Sequence, residues 1–505
     1  MATLIERVPG ARPVQGHRPW PRAVVDRRGW RFAVGELTQA HLSLLGLWAE
    51  TAPAPVVHLA LIDEAAGEIA VISLDCPDGS YPSLARQHPP ALRLERAIAD
   101  LTGLVAEGSP DTRPWLDHGR WGLRHPLGHR AAPDEAPAPY AFLPAEGEGL
   151  HQIPVGPVHA GIIEPGHFRF TAQGETVVRL EERLGYTHRG IEALMTGAEP
   201  DRAAQLAGRA SGDSTVAYAL AFARAAEAAL DIEVPARAHW LRALMAELER
   251  LANHLGDIGA ICNDAAFALM HAHCGALREL VLRAADAAFG HRLMRDGAVP
   301  GGVAADLAPG GAAAIGALLE ELGRRFPPLV ELYDSTASLQ DRTVGTGVLR
   351  PALARQYAAG GFVGRASGRG FDARRLPGFA PYDALAFKVP LREAGDVNAR
   401  VWIRIDEVEQ SLALVGRLLD DLPDGPARIE LPRRAGEGMA LVEGFRGDVL
   451  AWLRLDGDGR VMRCHLRDPS WFQWPLLEAA IEGNIVADFP LCNKSFNCAY
   501  AGHDL

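Results

Sequence analysis

The sequence has 505 residues, too many for one hydrophobic core, and this length predicts roughly two to four domains. Apolar residues make up 48% and charged residues 23%, an ordinary globular balance. The formal charge of -12 argues against nucleic acid as a partner, because phosphate binding needs a basic face. No apolar run is long enough to predict a transmembrane helix. Residues 1–21 lack the apolar centre of a secretory signal, so we expect a cytoplasmic protein.

The first part of the chain is predicted to be a small α+β domain. Apolar runs at 56–62 and 69–72 flank a short turn and indicate a β-hairpin. Residues 92–104 carry apolar side chains at helical spacing and predict a helix. Residues 131–149 are rich in Pro, Ala, Glu and Gly without periodicity, which is typical of a linker. The predicted organisation is a domain at 1–130, a linker at 131–149 and a main domain at 150–505.

The main domain is predicted to be mostly helical, with β-hairpins at its edges. Turn residues separate three short predicted strands, at 158–163, 167–171 and 176–180. A long helix follows, marked by a stripe of leucines at helical spacing: Leu241, Leu244, Leu248, Leu251 and Leu255. Another helix is predicted from about Asp406, and two strands at 440–444 and 448–453. The fold class is therefore α+β, a small α+β domain followed by a mostly helical one.

The densest polar motif lies at 156–170, where a predicted hairpin with a Pro-Gly turn carries His159 and His167. By spacing alone these histidines indicate either a site or surface groups that are merely hydrogen-bonded. The sequence also holds six cysteines without any Cys-x-x-Cys pair. In a cytoplasmic protein such cysteines are more often buried small apolar residues than disulfides or metal ligands.

Several blocks of the main domain resemble, in the same order, those of the large subunits of energy-converting (group 4, formate-hydrogenlyase-type) NiFe hydrogenases: 156–170, 185–192, 244–267, 364–368 and 396–400. They are similar as well to the matching subunit of respiratory complex I. Blocks in the first domain resemble the small peripheral-arm subunit of complex I: 81–84, 95–103, 111–114 and 125–127. The resemblance implies a NiFe-hydrogenase-large-subunit-like domain fused to its usual neighbour.

The sequence departs from this family at the metal ligands. Four thiolates hold nickel and iron in the family, and serine or alanine cannot replace such soft ligands. Here Ser211 and Ser214 stand at the first two positions, and the best alignment places Ala499 and Gly502 at the others. Cys498 lies one position early, so a shifted alignment would rescue at most one thiolate. The resemblance therefore implies no nickel, and we expect no maturation of the kind that trims hydrogenase precursors.

The comparison with complex I concerns a quinone, which is held there by a hairpin histidine and a tyrosine. An ungapped match places Gly212 on that tyrosine, and Tyr218 lies about one and a half helical turns away. The quinone pair is therefore incomplete. The resemblance instead implies a cavity left without its metal, wet or holding a small acceptor.

The candidate residues of this cavity are His159, His167, Arg209 and Asp213, with Ser211, Gly212, Ser214, Ala499 and Gly502 at the positions of the lost ligands or of the tyrosine. We expect Asp213 to be ionised beside Arg209, since a carboxyl near Arg and His has a tunable proton affinity. The opposing interpretation is that these groups only satisfy one another. We also expect residues 485–505 to be buried.

Two functions follow from the resemblance. The first is a subunit of a membrane-bound complex I-related or hydrogenase-like oxidoreductase, which passes electrons from a neighbouring iron–sulfur subunit to a quinone or another acceptor and couples this to ion translocation. The alternative is a non-catalytic scaffold that docks the iron–sulfur subunit to the membrane arm. In both, the chain binds no cofactor or metal itself, has no hydrogenase activity of its own, and lies peripherally at the cytoplasmic face of the inner (plasma) membrane.

Overall fold

The computed structural model describes residues 3–130, 132 and 139–505. Of the predicted linker, residues 131 and 133–138 lie outside this description, while 139–149 is irregular chain that leads into the next strand. The elements of the N-terminal part are α1 (Leu4–Arg7), β1 (Arg12–Val14), β2 (His17–Arg18), β3 (Arg22–Val25), α2 (Arg27–Thr38), β4 (Ser43–Glu50), β5 (Val56–Asp63), β6 (Glu68–Asp75), β7 (Ser80–Pro82), α3 (Leu92–Thr102) and β8 (Val105–Glu107).

The N-terminal strands form a mixed sheet in the order β1–β3–β6–β5–β4. The antiparallel pairing of β5 with β6 confirms the predicted hairpin. The predicted helix at 92–104 is confirmed as α3, which ends where Gly103 adopts a φ of 82°. Helix α2 begins after Asp26, whose carboxylate accepts hydrogen bonds from the first free backbone N–H groups and thereby caps the helix.

The next sheet is antiparallel, in the order β11–β10–β9, with β9 (Leu150–Val155), β10 (His167–Gln173) and β11 (Thr176–Arg183). It confirms the strands predicted at 167–171 and 176–180. The strand predicted at 158–163 is wrong, because residues 156–166 form an irregular loop in which Ala160 and Gly161 have φ values of 54° and 74°. Its apolar side chains misled the prediction, since Val158 and Ile162 are 78% and 84% exposed and face no partner strand.

The helical part of the chain comprises α4 (Ile191–Met195), α5 (Pro200–Ala207), α6 (Thr215–Ala229), α7 (Ala236–Asp264), α8 (Ala268–Phe289), the short strands β12 (Ala298–Val299) and β13 (Gly302–Val303), α9 (Gly311–Ser335), α10 (Ala337–Thr343), α11 (Pro351–Gln356), α12 (Gly361–Ala366) and α13 (Val397–Asp420). The predicted leucine stripe is confirmed as the buried face of α7. The charged face of α7 is buried too, because its Arg242 and Arg250 pair with carboxylates of neighbouring elements.

The C-terminal part contains β14 (Gly436–Gly444), β15 (Gly447–Leu455), β16 (Val461–Arg467), α14 (Ser470–Ile481), α15 (Phe489–Phe496) and α16 (Tyr500–Asp504). These strands confirm the predictions at 440–444 and 448–453. The sheet order is β16–β15–β14–β2, so the N-terminal strand β2 completes it in parallel to β14. One hydrophobic cluster likewise joins side chains from both ends of the chain, including Trp115, Phe168 and Phe496.

The end of the chain is largely buried from Phe489 onward, as expected, but Ile485 is 40% exposed, so the expectation is wrong for 485–488. In the part of the chain that the structure describes, no helix has both the length and the apolar character needed to cross a membrane.

Candidate functional site

The turn between α5 and α6, here called the 209–214 block, is organised around the carboxylate of Asp213. Ser211 Oγ and Ser214 Oγ donate to Asp213 Oδ1 over 2.7 and 3.3 Å. Arg446, in the tight turn between β14 and β15, donates from Nη1 and Nη2 to the two carboxylate oxygens over 2.7 and 2.6 Å. The two serine hydroxyls therefore surround a bidentate ion pair.

This pair keeps Asp213 ionised. Burial alone would raise the pKa of the carboxyl, but the charge and hydrogen bonds of Arg446 outweigh burial and lower the pKa to about 2. The side chain of Asp213 is 37% exposed and that of Arg446 only 5%, so the pair presents one edge to solvent. The geometry therefore favours the ionised form of Asp213, which stays a prediction.

The prediction that Arg209 is the partner of Asp213 is wrong. Arg209 donates from Nη1 and Nη2 to the carboxylate of Asp296 over 2.7 and 2.9 Å. Its Nη1 also donates to the carbonyl oxygen of Gln205, one helical turn earlier, so the side chain lies back along α5 and away from Asp213. Arg446 takes the predicted place from 233 residues further along the chain. The sequence signal that could have identified Arg446 is its position as a single arginine between the two predicted apolar strands at 440–444 and 448–453.

Glu249 on α7 adjoins the same block. Its carboxylate accepts hydrogen bonds from the N–H groups of Val216 and Ala217 at the start of α6, over 2.7 and 3.1 Å. Burial, joined by the negative charge of Asp213, outweighs these hydrogen bonds and raises the pKa of Glu249 to about 8. Such a carboxyl holds a proton at neutral pH and can release it close to neutrality.

Of the two predicted histidines, His159 lies in the 156–166 loop and His167 is the first residue of β10, directly after it. His159 Nε2 is hydrogen-bonded to the carbonyl oxygen of Gly166 over 2.8 Å, and His167 Nδ1 to that of Gly156 over 3.2 Å. Burial lowers the pKa of His167. These bonds hold the loop together, so of His159, His167, Arg209 and Asp213 only the last is joined to the serines of the 209–214 block.

Residues 497–504, here called the C-terminal block, lie between the loop and the 209–214 block. Glu164 of the loop accepts a hydrogen bond from the N–H of Ala501 over 2.8 Å. On the other side, Arg446 Nε donates to the carbonyl oxygen of Asn497 over 2.5 Å. Arg189 Nη2 bridges the carbonyl oxygens of Ala210 and Ala501. The structure therefore links the predicted motifs through the C-terminal block, and Glu164 is a contact that sequence reasoning missed.

The space around Gly502 is filled by other side chains. A Cβ at Gly502 would overlap the carboxylate of Asp468 and lie 2.9 Å from the hydroxyl of Tyr218. Tyr218 donates to Asp468 Oδ2 over 2.6 Å, and both residues are buried. The expectation of empty, wet volume at this position is therefore wrong, because Asp468 and Tyr218 occupy it.

Tyr218 also does not take the place of the tyrosine expected at Gly212. Gly212 is exposed and has open space where a side chain would begin, whereas Tyr218 points into the C-terminal block. Burial and the charge of Asp468 raise the pKa of Tyr218 well above its usual value, so its hydroxyl is a neutral donor.

The cysteines are buried and free, as predicted from their spacing. Burial raises the pKa of the Cys492 thiol to about 11 and that of Cys498 well above its ordinary value. Neither is therefore a thiolate at neutral pH. Among the described residues, no group of three or more His, Cys, Asp or Glu side chains could hold a metal ion.

Three family descriptions match the chain. The respiratory-chain NADH dehydrogenase 49 Kd subunit matches residues 264–435 and 429–504. The nickel-dependent hydrogenase family matches residues 189–256, and the respiratory-chain NADH dehydrogenase 30 Kd subunit matches residues 40–135. The resemblance of the two parts of the chain to two different subunits of the respiratory-chain NADH dehydrogenase is thereby confirmed.

Individual relatives agree with this. Formate hydrogenlyase subunit 5 of Escherichia coli (strain K12) is 32% identical over 86% of this chain and 78% of its own length. The carbon monoxide-induced hydrogenase of Rhodospirillum rubrum is 32% identical over 69% of this chain and 97% of its own length. A chain of the membrane-bound sulfane sulfur reductase, an archaeal respiratory membrane complex, is 26% identical with a TM-score of 0.67, covering 71% of this chain and 99% of that one.

Proposed function

We propose that this chain, which belongs to the family of complex I 49-kDa subunits and nickel–iron hydrogenase large subunits, is a peripheral subunit of a membrane-bound, complex I-related oxidoreductase. A neighbouring iron–sulfur subunit would supply electrons, and a quinone or another small acceptor would receive them beside the 209–214 block. The observation that carries this proposal is that Ser211 and Ser214, at the positions where the resemblance expects metal ligands, form a hydrogen-bonded polar network with Asp213 and Arg446.

The residues at the ligand positions do not fit a nickel–iron centre. Such a centre needs four soft thiolates, but Ser211 and Ser214 offer hydroxyls and Ala499 a methyl group. At Gly502 even the first atom of a side chain would overlap Asp468. We therefore propose that the chain binds no nickel and has no hydrogenase activity of its own.

The same network has properties that suit an acceptor which takes up protons with its electrons. The exposed edge of the Asp213–Arg446 pair can hold a polar headgroup by charge-assisted hydrogen bonds. Glu249, with a pKa of about 8, can supply a proton near neutral pH. His159 and His167 stay candidates for contact with the acceptor from the 156–166 loop, which Glu164 ties to the same region.

A scaffold without turnover is the second candidate function. The filled space at Gly502 favours it, as does the closed hydrogen bonding of both histidines within their own loop. In that case the C-terminal block would serve to hold the loop and the 209–214 block in the shape that an iron–sulfur subunit and the membrane arm require.

The intact complex, purified from membranes, separates the two functions. We expect Asp213→Asn to slow acceptor reduction by at least about tenfold while the complex still assembles, because a hydrogen bond to a charged group contributes roughly 1.5 kcal/mol or more and each 1.4 kcal/mol is about tenfold in rate. The matched control is Asp296→Asn, which removes the carboxylate that pairs with Arg209 and leaves the Asp213–Arg446 pair in place. If the intact complex reduces its acceptor equally fast with the wild-type chain and with both variants, the chain acts as a scaffold.

Metal analysis of the same complex tests the missing centre. We expect nickel to be far below one atom per chain. About one nickel per chain would refute the proposal, whatever the acceptor assay gives.

We further propose that docking to partner subunits holds the chain at the cytoplasmic face of the membrane. High salt or carbonate should then release it from membranes, because such treatments disrupt docking and leave inserted helices in place. Recovery of a free monomer from cells that make the neighbouring subunits would contradict this.

A further inference from the structure

A groove of about 770 Å³ opens at the junction of the N-terminal part and the main domain. Its walls come from α3, β11, α14 and the irregular chain around Tyr140, so solvent enters between elements far apart in sequence. Arg113 fixes that irregular chain by donating to the carbonyl oxygen of Ala141 over 2.7 Å. The groove lies apart from the 209–214 block.

Two carboxylates and one guanidinium meet in the wall of this groove. Arg93 Nη1 lies 3.1 Å from Glu182 Oε2, and its Nη2 lies 2.7 Å from Glu478 Oε1. Glu478 also accepts a hydrogen bond from the backbone N–H of Glu182 over 2.8 Å. With both carboxyls ionised the cluster would carry one uncompensated negative charge in a buried setting.

One carboxylate oxygen of the cluster has no hydrogen-bond partner among the described residues. The side chain of Glu182 is 0% exposed, and its Oε1 has no hydrogen-bond partner among the described residues. A buried oxygen that accepts no hydrogen bond is costly when it carries charge, but it becomes tolerable when a proton neutralises the carboxyl. The side chain of Glu478 is 22% exposed and so connects the pair with the groove.

The electrostatic surroundings of Glu182 and Glu478 also favour a bound proton. Burial, then the charge of Glu478, raises the pKa of Glu182, and Arg93 does not cancel this. Burial likewise raises the pKa of Glu478. Among the described residues, the other titratable or charged groups within electrostatic range of Glu182, Glu478 or Arg93 are Glu181 on β11, Tyr357 after α11, and Cys498, Tyr500 and His503 in the C-terminal block.

We propose that Glu182, Glu478 and Arg93 form a proton-binding site, which takes one proton from water in the groove and holds it next to the C-terminal block. One proton on the pair brings the net charge of the cluster to zero, and no electron moves. Glu478 receives the proton from the groove and Glu182 holds it on the inner side.

The inner side faces the candidate site. The thiol of Cys498 lies within electrostatic range of both Glu182 and Arg446, and the hydroxyl of Tyr500 within range of Glu182 and Glu164. A proton on Glu182 is therefore placed between bulk water and the block that joins the loop to the Asp213–Arg446 pair. The delivery of this proton to an acceptor rests on the proposed function, whereas its binding does not.

Infrared spectroscopy of the intact complex at different pH values tests the binding. We expect a protonated-carboxyl band in wild type at neutral pH that is lost in both Glu182→Gln and Glu478→Gln, because either change leaves one carboxylate balanced by Arg93. Subtracting variant from wild-type spectra removes other protonated carboxyls such as Glu249. Glu482→Gln is the matched control, since Glu482 lines the same groove but has Arg350 and Arg179 as its charged neighbours instead of the pair.

Retention of the band in both Gln variants would overturn the proton-binding site. If Glu182→Gln does not assemble, Glu478→Gln decides alone, since Glu478 is the more exposed of the two acids. For delivery, we expect Glu182→Gln to slow acceptor reduction by about a hundredfold or more and to flatten its pH profile, with Glu482→Gln unchanged. A lost band with unchanged turnover would overturn delivery. A complex that reduces no acceptor would refute the proposed function. The infrared result would still decide whether the cluster binds a proton.

Discussion

The Asp213–Arg446 pair and the Glu182–Glu478–Arg93 cluster both set carboxylates against a buried arginine, but only the first is balanced in charge. In the pair, one guanidinium satisfies one carboxylate through two hydrogen bonds. In the cluster, one guanidinium is divided between two carboxylates, and Glu182 Oε1 is left without a partner among the described residues.

As a consequence, Asp213 and Glu182 have opposite shifts in proton affinity, although both are carboxyls beside a buried arginine. Burial raises the pKa of a carboxyl in both places, and the arginine lowers it. The arginine prevails at Asp213, whose pKa falls to about 2, whereas burial and the second carboxylate prevail at Glu182, whose pKa rises. The ratio of carboxylates to arginines therefore decides whether a buried acid is a fixed charge or a proton carrier.

Breaking the balanced pair should have the largest effect on stability. Asp213→Asn leaves the buried guanidinium of Arg446 without its counter-charge. Breaking such a pair costs about 3–5 kcal/mol when it is fully buried. Because Asp213 is partly exposed and solvent screens the charge, we expect a loss of about 2–4 kcal/mol in the free energy of unfolding. Chemical denaturation of the full chain measures it.

The pH dependence of that loss is a further check. The pKa of Asp213 is lowered in the folded protein, so the pair stabilises the fold at pH values above the unfolded pKa, near 3.9. This contribution disappears as the pH falls through about 2. The difference between wild type and Asp213→Asn should thus shrink as the pH falls from about 4 towards 2, and a difference that stays constant over that range would contradict the assignment of Arg446 as the partner.

Removing one acid from the unbalanced cluster should stabilise the protein. The folded state holds the proton on Glu182 and Glu478 more tightly than the unfolded chain does, since both pKa values are raised. Wild-type stability should therefore decline as the pH rises above the unfolded value for glutamate, near 4.3. In Glu182→Gln the part of this decline that comes from the cluster should vanish, while buried acids elsewhere, such as Glu249, keep their own contribution.

The gain should be about 1–3 kcal/mol at pH 8, the cost of an unsatisfied buried polar group. Denaturation curves of wild type and Glu182→Gln at pH 5 and pH 8 measure it. Parallel curves for the two proteins would show that Glu182 binds its proton no more tightly after folding.

The smallest effect is expected at Arg209. Its ion pair with Asp296 lies near the surface, with side chains 37% and 33% exposed. Double-mutant cycles on such pairs give about 0.2–1 kcal/mol, and we expect Arg209→Ala and Asp296→Asn to fall in that range and to be lowered further by salt. A loss as large as that of Asp213→Asn would mean that Arg209, not Arg446, balances the charge in the 209–214 block.

Local patterns determined much of the fold. The hairpin of β5 and β6, helix α3 and the leucine face of α7 follow from apolar spacing and turn residues, which act over a few neighbours. The 158–163 strand was mispredicted because an apolar run needs a partner strand, and whether one is present is not a local property. The sequence alone also identified the family, through the order of its blocks, and the absence of thiolates at the ligand positions.

The tertiary structure decided which charges meet. Asp213 pairs with an arginine 233 residues away, and the backbone of Glu182 bonds to a glutamate 296 residues away. Asp468 fills the space at Gly502 from a different element again. The spacing of residues along the chain does not predict such long-range contacts, because the energy of a buried charge depends on every element that packs around it. The sequence by itself therefore determined the elements and the family, while only the packing of those elements decided which acid is a fixed charge and which can carry a proton.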